Sequence, residues 1–165
     1  MSNTNMARAT AESQPLGIGW TAGSVLQVLT LWLEDQVFAV DAAVVREILD
    51  PVPVTAVPNS RPLVGGLINV RGKVVPLADL RVAFGMEPKP STVETRIVVV
   101  EIELDGDPTI IALVADRVEE VTEIAVDSFI GTPRVGMRWR PEFIHCFGRK
   151  GDDFVVIPNL ARIFA

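Results

Sequence analysis

The apolar positions of this chain fall in short runs bounded by turn-forming residues. The first, 25–33, reads VLQVLTLWL and is β-branched and aromatic enough for a strand. Glu34-Asp35-Gln36 makes a polar turn, and 37–40 returns as a second strand. Asp41 then has the character of an N-cap. Val44, Val45, Ile48 and Leu49 lie at i, i+1, i+4 and i+5, the stripe of a short helix. Pro51, Pro53, Pro58 and Pro62 break the next stretch into extended chain and loop. The segment 63–70 leads into a strand, Arg71-Gly72-Lys73 turns, and 74–77 comes back, with Gly72 free to take a positive φ. Asp79 caps a short helix over 80–84 that Gly85 stops. Beyond a polar, proline-containing linker at 87–95, segments 96–104 and 109–114 form a hairpin around Asp105-Gly106-Asp107-Pro108. Two further strands are predicted at 118–124 and 154–157, an irregular Gly/Pro/Arg stretch at 131–141, and a last short helix over 159–164. Residues 1–24 have no periodicity and read as a mobile tail, in which Leu16, Ile18 and Trp20 alternate as a weak edge-strand signal.

Many short strands with one- or two-turn helices predict a mainly-β fold, small barrels or a sandwich, and argue against βαβ units. The chain also echoes itself. Residues 38–48, FAVDAAVVREI, resemble 111–121, IALVADRVEEV, and VPLADL at 75–80 resembles VVIPNL at 155–160. Read as a repeat, this predicts two similar lobes joined near 86–95.

The length of 165 residues suits one domain or two small lobes, and needs no disulfide or metal to stabilise it. Fifteen Lys and Arg against 21 Asp and Glu give a net charge of −6, which disfavours nucleic acid and anionic membranes as partners. With a single cysteine, Cys146, no intrachain disulfide forms, and no apolar run reaches the ~20 residues of a membrane helix. A soluble, cytoplasmic protein without membrane insertion is expected.

A search for chemistry finds none. His145 and Cys146 are neighbours, and neighbours on a strand point to opposite faces, so they form no dyad. One His and one Cys cannot build a His- or thiolate-based metal site. Asp116, Glu119, Glu120 and Glu123 read as a solvated strand face and lack calcium-loop spacing. Gly65-Gly66 and Gly17-Ile-Gly19 lack the partners of a phosphate cradle. Arg134, Arg138 and Arg140, interleaved with Met137 and Trp139, read as a solvated loop with a Trp anchor. The sharper alternative is a partner-binding loop centred on Arg138 and Trp139.

The series VVREI at 44–48, VPN at 57–59 and VGGLINVRGKVVPLADLR at 64–81 resembles a CheW-like domain, the coupling module of bacterial chemosensory arrays. TRIVVVE at 95–101 and ALVADRVEEV at 112–121 continue it in order, so the resemblance spans about residues 25–165. It implies two small SH3-like five-stranded β-barrel lobes packed together, no catalysis and no cofactor. It also implies an adaptor that bridges the signalling tip of a chemoreceptor to the regulatory domain of a CheA-type histidine kinase and is monomeric outside the array. Carried over by motif, the receptor-facing groove includes Val45, Glu47, Gly66 and Arg71. Arg71 would fix the groove or pair with a receptor acid. Structural roles compete: a hairpin-turn ion pair for Arg71, close backbone approach for Gly66, core packing for Val45. The chain departs from the family pattern at His145-Cys146-Phe147-Gly148, at VIPNL (156–160), in the 134–141 insertion and in ending without an extended C-terminal helix. Alternative readings are a small-molecule-binding β-barrel protein, or an adaptor whose output is pilus motility or cyclic-dinucleotide signalling.

Overall fold

Strand β1 (Val25–Leu33) buries both of its faces. Leu26 and Val28 point one way, and Leu29, Leu31 and Leu33 the other, with a bulge between Leu29 and Leu31. Burial on both faces explains why this strand is a nearly unbroken apolar run. The computed structural model describes residues 23–126 and 139–165, so the expectations for the tail (Leu16, Ile18, Trp20) and for Arg134, Met137 and Arg138 lie outside it. The remaining strands are β2 (Gln36–Asp41), β3 (Val45–Leu49), β4 (Thr55–Ala56), β5 (Gly66–Val70), β6 (Lys73–Ala78), β7 (Arg96–Leu104), β8 (Asp107–Ala115), β9 (Arg117–Ala125), β10 (Ile144–Lys150) and β11 (Asp153–Pro158). Two one-turn helices, α1 (Leu80–Ala83) and α2 (Leu160–Ile163), follow β6 and β11. Asp79 caps α1 by accepting from the Arg81 N–H, and Asn159 caps α2 by accepting from the Arg162 N–H.

The strands form two sheets, ordered β10-β11-β2-β1-β9 and β3-β7-β8-β6-β5-β4. The mainly-β, two-lobed expectation holds, with the two-residue β4 as a sixth strand in the second sheet. We call the lobes terminal (β1, β2, β9–β11) and middle (β3–β8). The expected join at 86–95 does not separate them, because β7 and β8 lie beyond it and pair with β3 and β6. The join instead separates two sequence repeats, β1 to α1 and β7 to α2, and each repeat lends its opening hairpin to the other. β1 pairs antiparallel with β9 as β7 does with β3, and β2 lies parallel to β11 as β8 does to β6. The echo between 38–48 and 111–121 marks the two places where the chain crosses from one sheet to the other.

Packing follows from the exchange. The terminal lobe has its own interior around Val28, Ala39, Ile124 and Val155, and the middle lobe one around Ile68, Val75, Val99 and Ala112. The larger core lies between them. There β1–β2 contributes Leu31, Leu33 and Phe38, and β7–β8 contributes Val98, Val100 and Leu113, joined by Leu80 and Leu160 from the two helices. Each such side chain adds about 1.5–3 kcal/mol on burial. The lobes are therefore halves of one cooperative unit and not separable domains.

The structure differs from the pattern reading at 44–49. The helix expected there is a single 3₁₀ turn, Ala42–Val44, capped by Asp41, followed by strand β3. The apolar spacing at i, i+1, i+4 and i+5 fits a helix, but Val45, Glu47 and Leu49 are half-buried while Arg46 and Ile48 face solvent. Pairing with β7 and the β-branched content decide for the strand. Strand β10 joins the predicted set, and a 3₁₀ turn at Pro141–Phe143 replaces the end of the irregular stretch.

Candidate functional site

The hairpin β5–β6 closes on a two-residue turn, Arg71-Gly72, with φ of 51° and 82°. Two positive φ values match the twist of the flanking strands, and glycine meets the second at no cost. For Arg71 the left-handed conformation costs on the order of 1–2 kcal/mol. Part of this is offset by the Asn69 side-chain oxygen, which accepts from the Gly72 N–H at 2.9 Å. The turn lifts the Arg71 side chain out of the sheet, where it reaches β3 at the sheet's opposite side. Its Nε lies 3.1 Å from both carboxylate oxygens of Glu47, and its Nη2 is 2.8 Å from Oε1. This fork spans the mouth of the curled middle sheet. The hydrogen bond from Arg71 holds the Glu47 carboxyl below its ordinary pKa, and the same bond raises that of Arg71. Arg71 remains 80% exposed, and among the described residues three of its five N–H groups have no acceptor. Ile48, beside Glu47 on β3, and Val74, three residues beyond Arg71, are exposed apolar side chains.

Of the four groove residues, the structure brings Glu47 and Arg71 into contact. Val45 starts the same strand, pairs with Val100, and packs against the inter-lobe core. A bulge at Arg46 separates its direction from that of Glu47. Gly66 lies at the other end of β5, paired with Ala56. A Cβ there would come within 2.4 Å of Val54 Cγ1 and 3.3 Å of the Thr55 carbonyl oxygen, so close approach of β4 requires the glycine.

The terminal lobe has a counterpart clasp between its edge strands β9 and β10. Glu119 accepts from Lys150 Nζ at 2.9 Å and from the Trp32 Nε1 at 2.7 Å, and Arg117 stacks over the Trp32 ring at 4.7 Å. The Lys150 and Trp32 hydrogen bonds hold the Glu119 carboxyl below its usual range. A third ion cluster is buried. Arg81, almost fully buried, binds Asp79 through Nε and Nη2 and Asp116 through Nη1 at 2.8 Å. Burial pulls the Arg81 pKa down, and the Asp79 hydrogen bond with the charges of Asp79 and Asp116 more than reverses this. The acidic run read as a solvated face thus contains two anchors, Asp116 and Glu119. Their basic partners lie far away in sequence, which hid the roles.

Trp139 packs edge-on against Phe84, with ring centroids 5.2 Å apart, and caps the inter-lobe core. It anchors one wall of an open groove of about 550 Å³ that also includes Glu34, Met86 and Phe147. His145 and Cys146 are both buried, at a bulge in β10. Burial alone lowers the His145 pKa to about 4 and pushes the Cys146 thiol up to about 12. Among the described residues no three His, Cys, Asp or Glu side chains are grouped to hold a metal ion, and no helix is long and apolar enough to cross a membrane.

The family model for the CheW-like domain matches residues 27–165. A probable chemotaxis protein CheW of Rhizobium etli is 29% identical over 117 residues, covering 71% of this chain and 73% of the relative. The chemotaxis protein CheW of Klebsiella aerogenes is 25% identical over 147 residues, covering 89% and 85%. Among solved structures, the scaffolding protein TtCheW of Thermoanaerobacter tengcongensis superposes with a TM-score of 0.75 at 26% identity, over 86% of this chain and 93% of that one. With the exchanged hairpins and the Glu47–Arg71 clasp already in place, these matches make the chain a member of the CheW-like domain family.

Proposed function

We propose that this chain is a non-catalytic coupling protein. In this reading it holds the signalling tip of a chemoreceptor at the Glu47–Arg71 surface and a CheA-type kinase regulatory domain at another face. The observation that carries the reading is the forked ion pair itself. Arg71 is fixed by Glu47 yet stays 80% exposed, and the two strands that meet in this pair, β3 and β6, also carry the exposed apolar side chains Ile48 and Val74. A helical hairpin tip offering a carboxylate beside apolar side chains would complement that arrangement, and a guanidinium suits a carboxylate better than an ammonium does. Such contacts are weak singly and become strong when many are linked in an array. That the relatives are named chemotaxis proteins supports chemotaxis over pilus motility or cyclic-dinucleotide output.

The test is co-purification of the tagged chain with a receptor signalling fragment and a CheA-type kinase from the same source. Wild type is expected to capture both, and Arg71→Ala to lose the receptor and keep the kinase. The charge swap Glu47→Arg with Arg71→Glu re-forms the clasp but points its charges the wrong way, so receptor capture stays lost. Recovery in the swap would show that Arg71 only closes the sheet. Capture of neither partner by wild type would overturn the coupling function.

A further inference from the structure

Nine arginines fall among the described residues, and most are matched. Arg46 pairs with Glu101, Arg71 with Glu47, Arg81 with Asp79 and Asp116, Arg96 with Asp50, and Arg117 with Glu119. Arg149 lies over the Phe154 ring. The three that remain are Arg61, Arg140 and Arg162. Arg140 lies over the Phe143 ring at 5.5 Å and makes a loose contact of 3.7 Å to Glu142, with both charged side chains exposed. Arg61 and Arg162 have no carboxylate within ion-pair distance among the described residues. All three line one groove of about 350 Å³, where the loop before β5, helix α1 and helix α2 meet. The groove shares no residue with the Glu47–Arg71 surface.

Its composition is unlike the rest of the molecule. No Asp or Glu side chain lines it, although the chain carries a net charge of −6. Its floor is apolar, made by Leu63, Phe143 and Ile163 among others. Three guanidinium groups around an apolar floor are a local inversion of the protein's charge, and among the described residues only Arg140 has a carboxylate near it, the loose one of Glu142.

We propose that this groove docks an acidic amphipathic helix from a partner protein. Glu or Asp side chains flanking an apolar stripe at i, i+3, i+4 and i+7 would meet the three arginines while the stripe covers Leu63, Phe143 and Ile163. The planar guanidinium favours carboxylate pairing. A small phosphate-bearing ligand fits less well, because no hydroxyl or amide side chain lines the groove to orient it and the apolar floor would stay uncovered. The net negative charge elsewhere repels an acidic helix from other faces, so the groove would also set its orientation.

The proposal is tested on the full chain by fluorescence anisotropy. The probe is a labelled, end-capped peptide helix with Leu on one face and Glu on both flanks. The same peptide with Lys for Glu, and sodium pyrophosphate as a competitor, complete the set. The Glu peptide is expected to bind saturably, more weakly as salt rises, while the Lys peptide does not bind. The double variant Arg61→Glu/Arg162→Glu, both exposed positions, should weaken binding by roughly tenfold or more, equivalent to about 1.4 kcal/mol. Arg149→Glu, outside the groove, should leave it unchanged, with circular dichroism confirming that each variant is folded. The proposal falls if the Lys peptide binds equally, if the double variant binds as wild type, or if Arg149→Glu weakens binding as much. It also falls if pyrophosphate displaces the peptide and a Glu peptide lacking the Leu face binds as well, which would make the groove a small-anion site.

Discussion

Arg81→Met keeps the length and most of the volume of a nearly fully buried side chain and removes its charge. In the native fold the guanidinium makes three contacts of 2.9–3.2 Å to Asp79 and one of 2.8 Å to Asp116. Without it, two carboxylates remain that are only 20% and 27% exposed, with no cation paired to them. Removing one partner of a fully buried pair costs about 3–5 kcal/mol. Here each carboxylate keeps a backbone N–H, from Arg81 to Asp79 and from Glu34 to Asp116, as well as some water. The low end applies, about 3 kcal/mol. Urea unfolding followed by circular dichroism and by tryptophan fluorescence measures it, with an unchanged m-value expected. The two signals should coincide, because the largest core is shared by both lobes. Adding Asp116→Asn removes one stranded charge, so the double variant should lose at least about 1 kcal/mol less than the sum of the single losses. A loss below about 1 kcal/mol for Arg81→Met, or strict additivity with Asp116→Asn, would refute the view that Arg81 is held in place by its two carboxylates as one coupled cluster.

Three further outcomes are expected. Gly66→Ala should cost about 1–2 kcal/mol by forcing Val54 and β4 outward, and Val54→Ala should restore most of it; a fully stable Gly66→Ala would remove the close-approach argument. His145 has its folded pKa lowered to about 4 by burial, below its ordinary 6.5, so its contribution is complete above 6.5 and is lost as pH falls toward 4. That amounts to about 2 kcal/mol between pH 7 and 5, read from urea midpoints, and the slope should vanish in His145→Leu. Cys146, buried and with its thiol pushed up to about 12, should resist a disulfide reagent in the native state and react at once in urea; rapid native labelling would contradict its placement.

Local chemistry was the legible part of this chain. The Arg71-Gly72 turn and the cap Asp79 depend on residues within a few positions of one another, and they lie where the pattern puts them. Segment 44–49 has an apolar spacing that fits two periods, and strand β7, about fifty residues away, makes the choice. The repeat was visible in the matching segments around Phe38 and Ile111. The exchange of hairpins was not, since pairing of β1 with β9 leaves no local signal. At the site, the family motif singled out Glu47 and Arg71, but not that the two side chains meet across 24 positions. Arg81 and Asp116 are separated by 35 positions, and the arginines of the second groove come from three separate segments.

The borrowed hairpins also set the order in which the protein can be made. On the ribosome β1–β2 emerges first, apolar on both faces, and its neighbour β9 follows only after the whole middle lobe has been synthesised. Until then the hairpin has no native sheet to enter and is a natural client for a holding chaperone. A chain cut at 86–95 would yield two fragments, neither containing a whole lobe, yet each carrying the hairpin that the other lacks. Expressed together, such fragments should reconstitute the fold as a two-chain complex, so the protein is in effect an intramolecular domain-swapped dimer of its own halves.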